Sequence, residues 1–336
     1  MDLASDHPSG PHHRLRPRLH LFARLRVRAR ARRLGVMICV PATSAITAFS
    51  IENVPVAEVA LGEVFECETA DCYGGQMGSE TVLRPEIDMA QFNRATGPVR
   101  IAGVEVGDAI RIDVHAIDIA DHGVMALSPG LGVLGDRVHQ ADTRIVPFTD
   151  GNAWITPDTP VRIAPMIGVL GVAPAGEAIG SSWPGAHGGN LDTRVLQAGS
   201  SLLLRAAHPG ALLAVGDLHA VQGDGELGGT GVEVAGRVRL SVERVAYAGR
   251  LPAVRHAEGL SILASAGTLD EAVRLGFSEV VSLIEAWRGL SWADAYRTSS
   301  VIVRAEVSQM VNPLATVRVT IPREWCPEDL YAASLL

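Results

Sequence analysis

Along residues 44–70, apolar and polar positions alternate in short runs bounded by Pro55 and Gly62, with Val64, Cys67 and Thr69 at strand-like positions. A period of two is the mark of a half-buried strand. The pattern is clearer over 99–119. After the Gly107-Asp108 turn, Ile110, Ile112 and Val114 alternate with Arg111, Asp113 and His115. Gly130-Leu131-Gly132 and Gly135-Asp136 read as turns. The run 161–173, through Met166-Ile167-Gly168-Val169-Leu170, is apolar and predicts a buried strand. Residues 201–206, 211–221 and 231–246 repeat the strand pattern. The last quarter changes period. Thr268 and Glu271 stand at capping-box spacing, where each side chain meets a free amide at a helix start. Val273, Phe277, Val280, Ile284 and Trp287 then recur at spacings of three and four, and Gly289 is the stop. Ser291 and Asp294 open a second, short helix, and 299–308 and 314–321 return to strand alternation around Asn312-Pro313. The expected fold is mainly β with an α+β C-terminal part, its core a sandwich or barrel-like arrangement.

Composition changes this picture in three ways. At 336 residues, 47% hydrophobic, the chain can bury a large core. The formal charge of −8 is uneven: residues 1–36 carry nine arginines against Asp2 and Asp6, or +7, which leaves −15 for the rest. An acidic body excludes general nucleic-acid binding. The basic head, 1–36, reads as a disordered extension with Met37 as the natural start, 37–322 as one catalytic domain and 323–336 as a tail. All 29 basic residues are arginine. Arginine stays protonated, so designs needing a catalytic lysine are excluded. Among these are Ser-Ser-Lys amidases, Cys-Glu-Lys nitrilases and pyridoxal-phosphate enzymes. The cysteines Cys39, Cys67, Cys72 and Cys326 lack paired metal spacing and read as reduced thiols of a cytoplasmic protein. No apolar run is long enough to span a bilayer.

Three polar segments could carry chemistry. Asp217 and His219 end an apolar strand, and alternation continues the face of Ala211, Leu213 and Val215 into them. A carboxylate beside an imidazole is a chelating pair for a divalent ion, although most Asp-x-His pairs are ordinary hydrogen-bonded neighbours. Asp224 and Glu226 follow on a glycine-rich turn. The second segment, 184–192, offers His187, Asn190 and Asp192 around Gly188-Gly189, where backbone could approach a ligand; the plainer alternative is a glycine turn. The third, Asp71-Cys72-Tyr73-Gly74-Gly75-Gln76, offers Gln76, or else simply an Asx turn.

Taken together these segments resemble the acetamidase/formamidase family in order and wording. Residues 185–192 are similar to its Gly-Pro-His-Gly-Gly-Asn-Met-Asp segment, with Ala186 and Leu191 replacing proline and methionine. Residues 210–236 are similar to its Gly-Ala-Leu, Gly-Asp-x-His-Ala and Gly-Asp-Gly-Glu run. Residues 93–98, the Pro129-Gly130 turn, Met166-Ile167-Gly168-Val169 and Gln309-Met310-Val311-Asn312-Pro313 also fit, the last with Asn312 where aspartate is common. Gly228-Gly229 stand where the family often has a cysteine. The likeness runs from about residue 45 to about 322.

The resemblance implies a CUB-like β-sandwich core, hydrolysis of formamide or acetamide to the acid and ammonia, a homo-oligomer, and a bound divalent metal. In the expected mechanism His187, Asp192, Asp217 and His219 hold the cation, zinc with calcium as the alternative. Glu226 or Asp224 moves the proton, and Gln76 or Asn190 holds the amide or its oxyanion. The partner expected is a small amide, with no nucleic acid and no membrane. Two readings compete: a hydrolase of another amide or cyclic imide, and a non-catalytic metal- or ligand-binding β-sandwich.

Overall fold

A computed structural model describes residues 37–331; the basic head and residues 332–336 lie outside the described residues. Its architecture is mostly β, and two large sheets carry it. The nine-stranded sheet runs, edge to edge, Ile38–Val40, Phe65–Thr69, Gly236–Arg244, Ala109–Ile119, Ser201–Arg205, Ala253–His256, Gly259–Ala266, Ala315–Pro322 and Arg304–Gln309. The second sheet has twelve strands, and Glu233–Val234, Leu213–His219, Met166–Gly171 and Gly188–Asn190 adjoin in that order. One core fills the space between the sheets. Cys67, Ile112, Leu202 and Leu240 enter it from the first sheet, and Val99, Ile167, Leu213 and Leu218 from the second. This is the sandwich the alternation predicts, since each strand sends every second side chain inward.

The helices form where the period changes. Leu269–Arg288 begins at Thr268, whose side chain accepts from the Glu271 amide at 3.2 Å while Glu271 accepts from the Thr268 amide at 3.2 Å. It ends at Gly289, left-handed at φ 62°, a conformation that costs glycine little. Trp292–Ile302 follows with Ser291 as its cap. Val280, Ile284 and Ala295 pack on Val317, Val319 and Ile321 of the first sheet in a second core. The strand expected from 299 starts only at Arg304, because the helix continues to Ile302. Cys326 and Leu330, in the segment after 322, are also buried in this second core.

Candidate active site

The site lies on the second sheet, where Leu213–His219 pairs antiparallel with Met166–Gly171, placing Met166 opposite His219 and Val169 opposite Gly216. Alternation predicts that Asp217 and His219 continue the face of Leu213 and Val215. The structure corrects this. Leu213 and Val215 enter the main core while Ala214 lies with Phe49, Ala95 and Val169, yet beyond Asp217 it is Leu218 that enters the main core. Asp217 has φ 54°, and this left-handed residue resets the alternation. Asp217 and His219 still share a face, with Oδ1 3.5 Å from Nε2, but it is the face away from the core.

Asp192 reaches the same place from the segment after Gly188–Asn190. Its amide donates to the Gly168 carbonyl at 3.3 Å. Gly168 is the close approach that makes this possible. A Cβ there would collide with Asp192 Oδ1 and lie 2.8 Å from Asp217 Oδ2. Glu226 comes from the loop after the Asp217 strand. That loop is stitched to the Arg304–Gln309 strand by Gly225 donating to the Ser308 carbonyl at 3.0 Å and by Met310 donating back to Gly225 at 3.2 Å. Ligand-type atoms of Asp192, His219 and Glu226 all lie within 4.8 Å of one another. Among the described residues, seven non-glycine positions have left-handed φ, and Asp192, Asp217 and Glu226 are three of them. Such strain persists only where surrounding structure enforces it, and it gathers at functional sites.

Sequence reading missed Glu233, Gln222 and the role of Asn312. Glu233 stands in a short strand between Val232 and Val234, and a lone charge in an apolar run was the available signal. Its Oε1 accepts from the Thr230 hydroxyl at 2.8 Å and the Gly231 amide at 3.0 Å, and its Oε2 lies 3.0 Å from His219 Nε2. Gln222 Nε2 donates to the carbonyls of Asp192 (2.9 Å) and Ser308 (3.4 Å), and only the NH₂ end can do that. Its Oε1 must therefore face His219 Nδ1, 2.7 Å away, so Nδ1 carries a hydrogen and Nε2 is left toward the carboxylates. Asn312 Nδ2 donates to Asp192 Oδ2 at 2.6 Å and to the Asn190 carbonyl at 3.3 Å.

The electrostatics are unbalanced. Asp192, Asp217, Glu226 and Glu233 are buried around one imidazole. Burial, then Glu233, pushes Asp217 up to about 8. Burial, then Asp192, holds Glu226 well above the usual carboxylate range, and burial also raises Asp192. At His219 burial works downward, but Glu233 and Asp217 outweigh it and hold the imidazole well above its ordinary value. At Glu233 burial works upward, and the neighbouring His219 outweighs it. Asp192 Oδ1, Glu226 Oε2 and Glu233 Oε2 are buried without hydrogen-bond partners, and so is Asn190 Oδ1. Buried carboxylate oxygens are rarely left this way unless a cation or substrate meets them. The residues present, carboxylates and an imidazole, therefore fit a divalent ion.

Three sequence-predicted residues stand outside the two groups of ligand-type atoms. His187 joins neither group of ligand-type atoms within 4.8 Å. It sits in the tight hairpin between Pro184–Gly185 and Gly188–Asn190, its ring edge-on to Phe49 at 5.1 Å and both ring nitrogens buried without a hydrogen-bond partner. Burial lowers its pKa to about 4, so it is neutral. Asp224 takes a paired hydrogen bond from Arg318, at 2.6 and 2.8 Å, which commits its carboxylate to an ion pair. Gln76 spends its amide on its own loop: Nε2 donates to the Tyr73 and Asp88 carbonyls, and Oε1 accepts from the Asp88 amide. In that third segment it is Cys72 that faces the site, its thiol within 4.8 Å of ligand atoms of Asp217 and Glu233. The segment is also the Asx turn considered above, with Asp71 Oδ1 accepting from the Tyr73 and Gly75 amides.

The fold and sequence are similar to those of known proteins. The acetamidase from Bacillus halodurans superposes with a TM-score of 0.83 at 36% identity, covering 85% of this chain and 97% of that one. A predicted acetamidase/formamidase from Thermoanaerobacter tengcongensis gives 0.83 at 38% identity, covering 85% and 95%. The formamidase of Methylophilus methylotrophus is 25% identical over 247 residues, 56% of this chain and 60% of that protein. The chain thus spans about three fifths of the length of the curated relatives it matches. The model of the acetamidase/formamidase family matches residues 50–184 and 177–249, and the chain belongs to that family.

Proposed function

We propose that this chain hydrolyses the C–N bond of small linear amides of the formamide and acetamide type, releasing the carboxylate and ammonia. The observation that carries the reading is the set of buried carboxylate oxygens of Asp192, Glu226 and Glu233, without hydrogen-bond partners, gathered around His219. The names and folds of the relatives support it. Asp192, Asp217 and His219 would hold a divalent cation, which when bound polarises the amide carbonyl and acidifies the attacking water. Gln222 fixes the His219 tautomer for that task. Glu226 takes the proton as water oxygen bonds to the carbonyl carbon. It returns that proton to the nitrogen as the C–N bond breaks, so that ammonia leaves. Burial, then Asp192, raises the Glu226 pKa, which favours its holding the proton between the two steps. Asn190 Oδ1, buried and free of partners, can accept from the substrate N–H.

The reading locates activity in residues 37–322 and keeps the head as an extension. It also carries the homo-oligomeric assembly implied by the family and a cytoplasmic location. The four cysteines are free, and no described helix is long and apolar enough to cross a membrane. The test is ammonia release over a panel of linear amides and cyclic imides, with added metals and with chelator. Turnover of the short linear amides that chelation abolishes is the expected result. Turnover confined to cyclic imides, or none with any metal, contradicts it.

A further inference from the structure

Cys72 is used by nothing in the mechanism above, yet it is buried at the edge of the same pocket. Its backbone is held on both sides. The Cys72 carbonyl accepts from the Asn93 amide at 2.6 Å, and Asp71 clamps the turn by accepting from the Tyr73 amide at 2.9 Å. The thiol therefore has a fixed direction. Its sulfur and oxygens of Asp217 and Glu233 lie within 4.8 Å of one another, as do the donor atoms of the neighbouring set, Asp192, His219 and Glu226. Glu233 is 2% exposed, and its Oε2 has no hydrogen-bond partner, although His219 Nε2 approaches to 3.0 Å. That oxygen has only the ion-pair contact with His219, while its twin Oε1 accepts from both Thr230 and Gly231, so Oε2 keeps a lone pair for a cation between His219 and Cys72. Asp217 and Glu233 also border His219, so these two carboxylates stand between the two sets.

We propose that Cys72, Asp217 and Glu233 form a second cation position beside the first, so that the pocket holds two divalent ions sharing the Asp217 and Glu233 carboxylates. Geometry argues for the pair. Two groups of ligand atoms, each within 4.8 Å, adjoin across Asp217 and Glu233, which both also reach His219, so one pocket offers donors for two ions side by side. Donor chemistry argues for its kind. A thiolate selects zinc or a metal of similar softness, in contrast to magnesium or calcium. The proposal rests on the reading above in which Asp192, Asp217 and His219 hold the first cation.

Cobalt(II) makes the test, because a thiolate ligand gives it a near-ultraviolet charge-transfer band that oxygen and nitrogen ligands do not. The full chain, stripped and reloaded with cobalt, should bind two ions and show the band. Cys72→Ser should bind one and lose it, with its melting curve confirming a folded protein. One ion per chain in the wild type, or two retained by Cys72→Ser, would overturn the second position while leaving the first. No bound cobalt in the wild type would overturn the cation reading itself, and this proposal with it. Should Cys72→Ser fail to fold, the wild-type count and band decide the matter alone.

Discussion

Each of the two sheets carries a polar cluster, half-buried in the first and buried in the second, and the two are built differently. In the nine-stranded sheet Asp113 accepts from Arg111 Nε at 2.8 and 3.1 Å, from Arg111 Nη2 at 2.9 Å, from Ser201 at 2.6 Å and from Arg255 at 3.3 Å. One carboxylate meets two guanidinium groups, and both its oxygens are engaged. In the twelve-stranded sheet four carboxylates meet one imidazole, and Asp192, Glu226 and Glu233 each keep an oxygen without a partner. A completed network braces the fold. An incomplete one, held by backbone in left-handed φ, leaves oxygens open to a cation or a substrate. Burial of charge alone does not separate structure from function here; satisfaction does.

The contrast can be broken most sharply at the residue assigned to proton transfer. With metal present, Glu226→Gln keeps the shape and removes basicity, so turnover of formamide or acetamide should fall ~10²–10⁴-fold. Turnover within a small factor of wild type would return Glu226 to a structural role. Loss of metal along with activity would make it a ligand.

Stability should respond in the opposite order. Asp113→Asn removes the anion from a largely buried ion pair and leaves two arginines facing each other, which should cost about 3 kcal/mol in denaturant unfolding. In metal-stripped protein Glu226→Gln should be neutral or stabilising, since it deletes an uncompensated buried carboxyl. Equal destabilisation by the two changes would erase the distinction between the clusters.

His187 offers a smaller test, because it belongs to neither cluster. Its folded pKa of about 4 lies below the ordinary histidine value of 6.5, so the unfolded chain takes up a proton that the folded protein refuses. Stability from this residue is fully present above about pH 6.5 and declines as pH falls toward 4, by at most roughly 3 kcal/mol. His187→Asn should flatten the acid side of the stability profile in that window. An unchanged profile would show the ring to be hydrated or paired.

Local physics was readable in the sequence where neighbours in the chain decide it. The Thr268–Glu271 box, the Gly289 stop and the period-two strands formed as expected, since each depends on residues within a few positions. Asp192, Asp217, His219 and Glu226 were legible because they recur in motifs, and the fold brings them together. What failed depended on distance in the chain. Asp224 looked as good as Glu226 until Arg318, 94 residues on, claimed it. The face of Asp217 could not be read, because one left-handed residue reverses the alternation on which such a reading rests. Cys72 and Glu233 meet only through the pairing of sheet strands, and no spacing announces it.

The central claim, that the incomplete cluster is incomplete because it holds a cation, is tested most directly by elemental analysis of purified wild type and His219→Ala. Wild type should carry divalent metal at or above one ion per chain, and His219→Ala, still folded, should lose at least one ion relative to it. Equal metal in the two proteins would contradict the account.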